Sequence, residues 1–475
     1  MTFTSFKNAR IVRSGWLEEG GRRLDCNPYM SGALEARDAL KKLKVRKDAL
    51  STLTAGHAGG IYNGPMFKRN YVESPKHGVR FVSSGSLLQA DLSDLPLLSR
   101  KDAESSRLSY LRLKAGMTMI SCSGTIGRMS YVRPDMENIW SSQDVLKISP
   151  DPDRVPPGYL HAFLSSRYGV PLVVSGTYGA IIQHIEPEHV AGIEVPRFGV
   201  EFESEINSLI QSAANLRAEF QSRINKATKN LLAYAGLEDC PPHIWHALPS
   251  DSAFAASISV ARALRATNYS PRVRSLLRAI EDSGSVALGD ICKNGYLSTG
   301  VRFKRIDCDP SEGVRLVGQK QAFWMQPEGR WISPRHAPDG IFAKDESVLI
   351  ASSGTLGENE VYCRPILVTG RWLDFAYSEH FLRVVSGDDR FSGAYLFAFL
   401  RSEIAFRALR SMSTGSKQQE IHSEFVSRMP VPLLTATRRA EIESIVRSAF
   451  KDRDRADALE AEAVSKIEAA IGKGH

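Results

Sequence analysis

The sequence predicts an α+β protein of two tandem homologous domains, each followed by a long helix, with the two helices pairing as an antiparallel coiled coil. Three observations predict it. An ordered set of landmarks repeats once, at a spacing of roughly 230 to 240 residues. Within each repeat, short β-branched runs bounded by Gly and Ser turns alternate with helical stretches that have one apolar face. After each repeat the apolar positions step by four and three, the spacing of a coiled-coil seam.

The duplication is clearest where Met119-Ile120-Ser121-Cys122-Ser123-Gly124-Thr125-Ile126-Gly127 is matched by Leu349-Ile350-Ala351-Ser352-Ser353-Gly354-Thr355-Leu356-Gly357. Upstream, Asn27-Pro28-Tyr29 loosely matches Asn268-Tyr269-Ser270-Pro271, Phe67-Lys68-Arg69 matches Phe303-Lys304-Arg305, and Gly78-Val79-Arg80-Phe81 matches Gly313-Val314-Arg315-Leu316. Downstream, Ser141-Ser142-Gln143-Asp144 matches Tyr377-Ser378-Glu379-His380, and Tyr159-Leu160-His161-Ala162-Phe163-Leu164 matches Tyr395-Leu396-Phe397-Ala398-Phe399-Leu400. Each copy closes with a Gly-bearing stretch (175–185 and 413–421) and a Val-Pro pair, Val195-Pro196 or Val431-Pro432. So many landmarks in one order mean a duplication.

Taken in order, 79–83, 117–121 and 145–148 read as strands, and 159–168 and 394–410 as helices with an apolar face. From Phe202 the seam runs through Ile206, Leu209, Ala213, Leu216 and Phe220, slips by one, and continues through Ile224, Ala227 and Leu231 to the helix-stopping Gly236. The second seam runs through Ile442, Ile445, Ala449, Ala456, Leu459, Ala463 and Ile467, with Gly472 past its end. A single such helix could simply pack on its own domain, but two helices ending two copies are each other's nearest equivalent partner. The expected boundaries are 1–198 and 237–434 for the domains, and 199–236 and 435–475 for the helices; 237–260 has no counterpart in the first repeat. At 1.5 Å per residue, about 30 residues make a rod of roughly 45 Å, a little over one ~34 Å turn of duplex DNA.

Composition narrows the function. A chain of 475 residues with 43% hydrophobic and 24% charged residues should fold, and its length suggests about three domains. The net charge of +8 suits a polyanionic partner without demanding one. Residues 1–10 contain no apolar signal core and no run of 18 apolar residues occurs, so the expectation is a cytoplasmic protein with no membrane partner. The cysteines (Cys26, Cys122, Cys240, Cys292, Cys308, Cys363) form no Cys-x-x-Cys pair, so they are expected to be reduced, mostly packed thiols.

Catalytic constellations are missing. There is no Gly-x-x-x-x-Gly-Lys-Ser/Thr loop, and no Asp or Glu has a Lys two positions later, which excludes one common nuclease motif. His243 with His246, and His184 with His189, lack the Glu of a zinc-peptidase motif, so no metal is expected. Ser123 and Ser353 sit in tight Gly-bearing turns without a placed base. Asn27-Pro28-Tyr29 resembles the Asn-Pro-Pro-Tyr loop of DNA amino-methyltransferases, but the second Pro and a Gly-rich methyl-donor loop are missing. The stretch 56–64, with four glycines, could cradle a phosphate, but reads more simply as a hairpin with flexible tips.

The duplicated Ser-Gly-Thr-Ile/Leu-Gly turn, the Gly-Thr or Thr-Gly stretch with Gln, and the Val-Pro before each long helix resemble the specificity subunit of type I restriction-modification systems. The resemblance covers nearly the whole chain. It implies two target recognition domains, each reading half of a bipartite, asymmetric DNA site, with the helices setting the unread spacer. It also implies no catalysis in this chain. Two methyltransferase subunits would dock and carry S-adenosylmethionine and the catalytic residues, and a restriction or translocase subunit could join them. Related subunits serve other methylation-based antiviral defence systems.

Base edges are read by Arg, Lys, Asn, Gln, Ser and Thr, and phosphates are gripped by Lys, Arg and backbone amides. Candidates for double-stranded DNA in the first domain are therefore Lys68, Arg69, Ser84, Ser86, Ser123, Thr125, Tyr178 and Gln183. In the second they are Lys304, Arg305, Gln319, Lys320, Gln321, Ser353, Thr355, Lys417 and Gln418. A loop Lys or Gln needs no function, so a solvated surface is the competing reading of each. Lys68-Arg69 and Lys304-Arg305 stand out because both copies hold the pair. The alternatives to a specificity subunit are a self-sufficient DNA amino-methyltransferase and a duplicated protein-binding scaffold.

Overall fold

A computed structural model describes residues 12–19, 29, 31–175, 184–249, 253–258 and 264–474. The chain divides into two units. The first comprises 1–88, 95–218 and 455–475, and the second 89–94 and 219–454. Each long helix thus gives one stretch to each unit.

The first unit is organised by a four-stranded sheet in the order Ile61–Tyr62, Val145–Ile148, Thr118–Ser121, Met129–Tyr131. Its two central strands are buried at every position, which is why they read as continuous runs rather than alternating ones. A second sheet places Gly78–Val82 beside Trp140–Ser141 in parallel, with Phe81 opposite Trp140 and Val82 opposite Ser141. Lys47–Ala49 pairs with Glu194–Pro196 to close the unit.

The second unit repeats this plan. Its main sheet runs Tyr296–Thr299, Phe381–Val385, Ser347–Ala351, Pro365–Val368. Val314–Val317 lies parallel to Ala376–Tyr377, and Ser285–Ala287 pairs with Pro430–Pro432. The duplicated landmarks meet in the same bond in both: the Tyr159 hydroxyl donates to the Pro196 carbonyl, and the Tyr395 hydroxyl to the Pro432 carbonyl at 2.8 Å. The segment 89–94 packs within this second unit, where the Arg401 guanidinium grips Asp91 at 2.6 Å, Arg364 lies 3.3 Å from Asp94, and the Leu92 amide donates to Gln221 at 2.7 Å.

Two expected helices are broken. The helix expected over 159–168 is Pro157–Leu164, followed after a turn by Gly169–Ser175. The one expected over 394–410 is Gly393–Leu400 followed by Glu403–Ser411. A serine makes each break. Ser166 donates to the Phe163 carbonyl and accepts from the Gly169 amide, while Ser402 donates to the Phe399 carbonyl and accepts from the Ala405 amide. Their hydroxyls replace the helical backbone bonds at the joint. Apolar periodicity cannot show this, because the pieces on both sides of each joint are buried.

The first long helix, Val200–Ala235, stops before Gly236, whose φ of +66° supplies the left-handed turn. The second, Ala436–Lys473, runs through Gly472, and Gly474 at φ +72° follows its end instead. In the first unit Glu205 pairs with Lys466 at 2.8 Å, and Arg217 with Asp457 at 3.0 Å and with Glu460. In the second, Phe220 packs on Phe450, Arg223 pairs with Asp452 at 3.2 Å, and Tyr234 donates to Glu441. Within each unit, rising numbers on one helix meet falling numbers on the other. The seam differs from the expected one at Phe202, Leu209, Leu216, Ile445 and Leu459, which are half-buried, while Ile210 and Val446 are buried and Arg217 is buried among carboxylates.

Residues 237–249 pack on the second unit. Asp239 accepts from the Ile404 amide at 2.8 Å, and Trp245 lies under the guanidinium groups of Arg272 and Arg407.

Candidate nucleic-acid interface

In each unit the parallel strand pair and the main sheet send their loops to a common rim. In the second unit the chain leaves Val317 and Tyr377 side by side, and the Ser378 amide donates back to the Val317 carbonyl at 3.1 Å. The central strand Ser347–Ala351 runs into the Ser-Gly-Thr turn, where the Ser352 amide and hydroxyl both donate to the His380 carbonyl. Gln319 then acts as an added strand partner: its Nε2 donates to the Ser353 carbonyl at 2.7 Å, and its Oε1 accepts from the Ser353 amide at 3.2 Å. The Gln418 amide donates to the Ser353 hydroxyl at 2.8 Å, and Ser353–Gly354 pairs with Gln419–Ile421. Arg410 donates to the carbonyls of Leu356 and Gly357, holding the far side of the turn.

The first unit builds its rim from matching parts. The Ser142 amide donates to the Val82 carbonyl at 2.8 Å, and the Cys122 amide to the Asp144 carbonyl at 3.1 Å. Ser121 closes the turn, donating to the Thr125 carbonyl at 2.7 Å and accepting from the Arg128 amide at 3.0 Å. Gly124 and Gly127 have φ of +77° and +80°, so the tight turn needs glycine at both. Ser123 bridges to His184 across the chain.

The duplicated Lys-Arg pairs take two different environments. Arg69 binds Asp144 at 2.8 Å, and Arg305 binds Glu379 at 2.6 Å. Although burial works the other way, the backbone and Arg305 hold the Glu379 carboxyl below its usual range. Lys68 and Lys304 are exposed. Among the other candidates, Ser86 accepts from the Ser83 amide at 3.0 Å and so builds its turn, and Ser84 is half-buried beside it. Gln319 and Ser353 are engaged with each other, while Gln321 is half-buried at the start of a short helical turn. Thr125, Lys320, Thr355, Lys417 and Gln418 are exposed on the loops. Tyr178 and Gln183 lie outside the described residues, as do Cys26, Asn27 and Pro28.

Sequence reasoning missed the carboxylates Asp144 and Glu379, although Asp144 and Glu379 fall in matched landmarks. It also missed Lys147 and Arg383, charged residues inside apolar strand runs. The stretch 56–64 forms a short helical turn over His57–Gly60 that leads into Ile61–Tyr62, and Gly60 sits at φ +88°, where a Cβ would lie 2.6 Å from the Ala55 nitrogen. His57 stacks on Tyr110 with ring centroids 3.8 Å apart.

Several other chemistry-bearing groups are packed or paired. Burial pushes the thiols of Cys122 and Cys292 up to about 11 and that of Cys363 to about 12, far from a neutral-pH thiolate. His246 pairs with Glu358 at 3.2 Å, and His189 accepts from the Glu186 amide at 3.0 Å. Among the described residues no group of three or more His, Cys, Asp or Glu could hold a metal ion, and no helix is long and apolar enough to cross a membrane. Asn268, the second-repeat match to Asn27, spends its amide on the carbonyls of Ser411 and Ser413.

No family model matches the chain, and no curated protein matches it. Among solved structures it is similar to the S subunit of a type I restriction-modification system from M. genitalium, at 12% identity over 91% of this chain and 96% of that one, with a TM-score of 0.34. It is also similar to the HsdS subunit from Thermoanaerobacter tengcongensis, at 12% identity over 90% and 96% and a TM-score of 0.27. A third structure, concerned with complex assembly and conformational transition of the type I R-M system, is 13% identical over 90% and 97%, with a TM-score of 0.26. Two of these solved structures, each similar to this chain over about nine-tenths of its length, are thus S subunits of type I restriction-modification systems.

Proposed function

We propose that this chain is a noncatalytic DNA-specificity subunit of a type I-like restriction-modification or methylation-based defence complex, reading a bipartite site in double-stranded DNA. One observation carries the reading: the same loop rim is built twice, with an exposed Lys beside a carboxylate-held Arg and a Ser-Gly-Thr turn at each. An asymmetric two-part site calls for such a pair, since each rim can differ in side chains while its scaffold stays the same. Residues 1–198 and 237–434 are the target recognition domains, and the helices over 199–236 and 435–475 are the antiparallel spacer. Two methyltransferase subunits, supplying S-adenosylmethionine and the catalytic residues, are the expected partners, with a restriction or translocase subunit as a further one. The complex acts in the cytoplasm.

Modified-base sequencing of the host genome with and without the gene tests this. Loss of methylation at one bipartite motif is the expected result. Methyl transfer to DNA by the purified chain alone would establish the methyltransferase alternative instead. An assembled complex that fails to retain duplex DNA at physiological salt would establish the scaffold.

A further inference from the structure

Each main sheet carries one buried cation at the same register position. Lys147 stands opposite Met119 and Tyr62, and Arg383 stands opposite Leu349 and Ser298, the equivalent neighbours in the second unit. Lys147 is fully buried, and Arg383 is 7% exposed. Neither forms an ion pair among the described residues; the Lys147 ammonium and the two terminal nitrogens of Arg383 donate to backbone carbonyls, while the Arg383 Nε is buried without a partner. The Lys147 ammonium donates to Ser142 at 3.2 Å and Val145 at 2.8 Å, and lies 5.6 Å from the centre of the Tyr62 ring. Arg383 donates to Tyr377 and Ile341 at 3.1 Å, to Phe342 at 2.8 Å, and to Gly340.

One gripped carbonyl in each unit, Ser142 or Tyr377, lies at the exit of the parallel strand pair, while the others that Arg383 grips lie on the turn at 340–342. Ser142 directly follows the strand Trp140–Ser141, Tyr377 ends the strand Ala376–Tyr377, and the short segments that run on from them carry Asp144 and Glu379. These are the carboxylates that hold Arg69 and Arg305. A buried charge costs free energy unless its hydrogen bonds are used, and two different cations at one register argue for a position rather than a packing accident. Burial pulls the Lys147 ammonium down to about 7, so the site pays for its cation.

Resting on the proposed DNA-reading role, we infer that Lys147 and Arg383 are positioning residues: each fixes the backbone of its own rim, and through Asp144 or Glu379 sets where Arg69 or Arg305 stands. The test uses the full chain assembled with its methyltransferase partner, and a duplex library randomised across both halves of the site. Lys147→Met keeps the side-chain length and loses two carbonyl bonds while relieving a buried charge, so its melting temperature should stay within a few degrees of the parent's. Its base preference should loosen roughly tenfold in one half-site only, the size of one lost base contact. Arg383→Met should loosen the other half, and Arg383→Lys should recover part of the loss. Preference unchanged in both halves of the Lys147→Met complex would overturn the inference. So would equal loosening of both halves together with a lower melting temperature, which marks a general structural role. A parent complex with no preference at all would overturn the DNA-reading proposal itself, and this inference with it.

Discussion

Replacing Lys304 or Arg305 with Ala should give two different salt responses, because the structure gives the neighbouring cations different partners. Lys304 is exposed, whereas Arg305 lies 2.6 Å from a Glu379 carboxylate that is 11% exposed. A free lysine on a phosphate releases about one counterion, worth about 0.9 in the slope of log affinity against log salt. Between about 50 and about 200 mM salt, that is roughly a 3.5-fold difference in affinity loss. Lys304→Ala should therefore shallow the slope by about 0.9. Arg305 and Glu379 are together neutral, so Arg305→Ala should change the slope much less. It should instead weaken binding at every salt concentration, because it leaves the Glu379 carboxylate without its guanidinium on a surface facing phosphates. Arg305→Ala with Glu379→Gln should recover much of that loss. The assay is equilibrium binding of the assembled complex to its duplex over a salt series. A full loss of slope from Arg305→Ala would mean that the pair opens on DNA and that Arg305 grips phosphate directly. An unchanged slope from Lys304→Ala would remove Lys304 from the interface.

Arg217→Met should destabilise the chain by about 3 kcal/mol in urea unfolding near neutral pH, since it removes the guanidinium from beside buried Asp457 and half-buried Glu460. Burial would raise the Glu460 carboxyl, but Arg217 and His161 overcome it and hold it near 2 against the usual 4.5. With the folded value lower, this stabilisation is complete above about 4.5 and is lost as the pH falls towards about 2, so parent and variant should converge in acid. A gap that stays constant through that window would contradict the assignment. Asp91→Ala should cost about 1.5–3 kcal/mol by removing the carboxylate from Arg401, which keeps its bonds to Ile224, Thr228, Ser93 and Asn225, and a loss under about 1 kcal/mol would show that segment 89–94 is dispensable to the second unit. Tyr395→Phe should cost about 1 kcal/mol by chemical denaturation, because its hydroxyl serves the Pro432 carbonyl, and an unchanged midpoint would count against that bond.

Much of the architecture was legible because it depends on periodicity and local punctuation. Strands expected at 79–83, 117–121 and 145–148 lie at Gly78–Val82, Thr118–Ser121 and Val145–Ile148. Gly236 ends the first long helix because only a residue that tolerates positive φ closes it there. Gly472 misled, since a glycine one residue from a helix end looks the same in sequence as a glycine beyond it. The serine joints at Ser166 and Ser402 were hidden for a similar reason: a hydroxyl bond to the backbone leaves no mark in an apolar pattern.

The sequence by itself determined the duplication, the mixed strand and helix content, and the loops that hold the candidate residues, because each follows from residue order and local preference. Only the tertiary structure decided which charges are spent inside the molecule. Arg69 and Arg305 find carboxylates 75 and 74 positions along the chain, Gln319 finds Ser353, and Lys147 and Arg383 turn inward to carbonyls. Nothing local distinguishes a cation that will meet solvent from one that will be buried. That difference is set by strand register and by the cost of leaving a buried charge unpaired, and both arise only when distant segments come together.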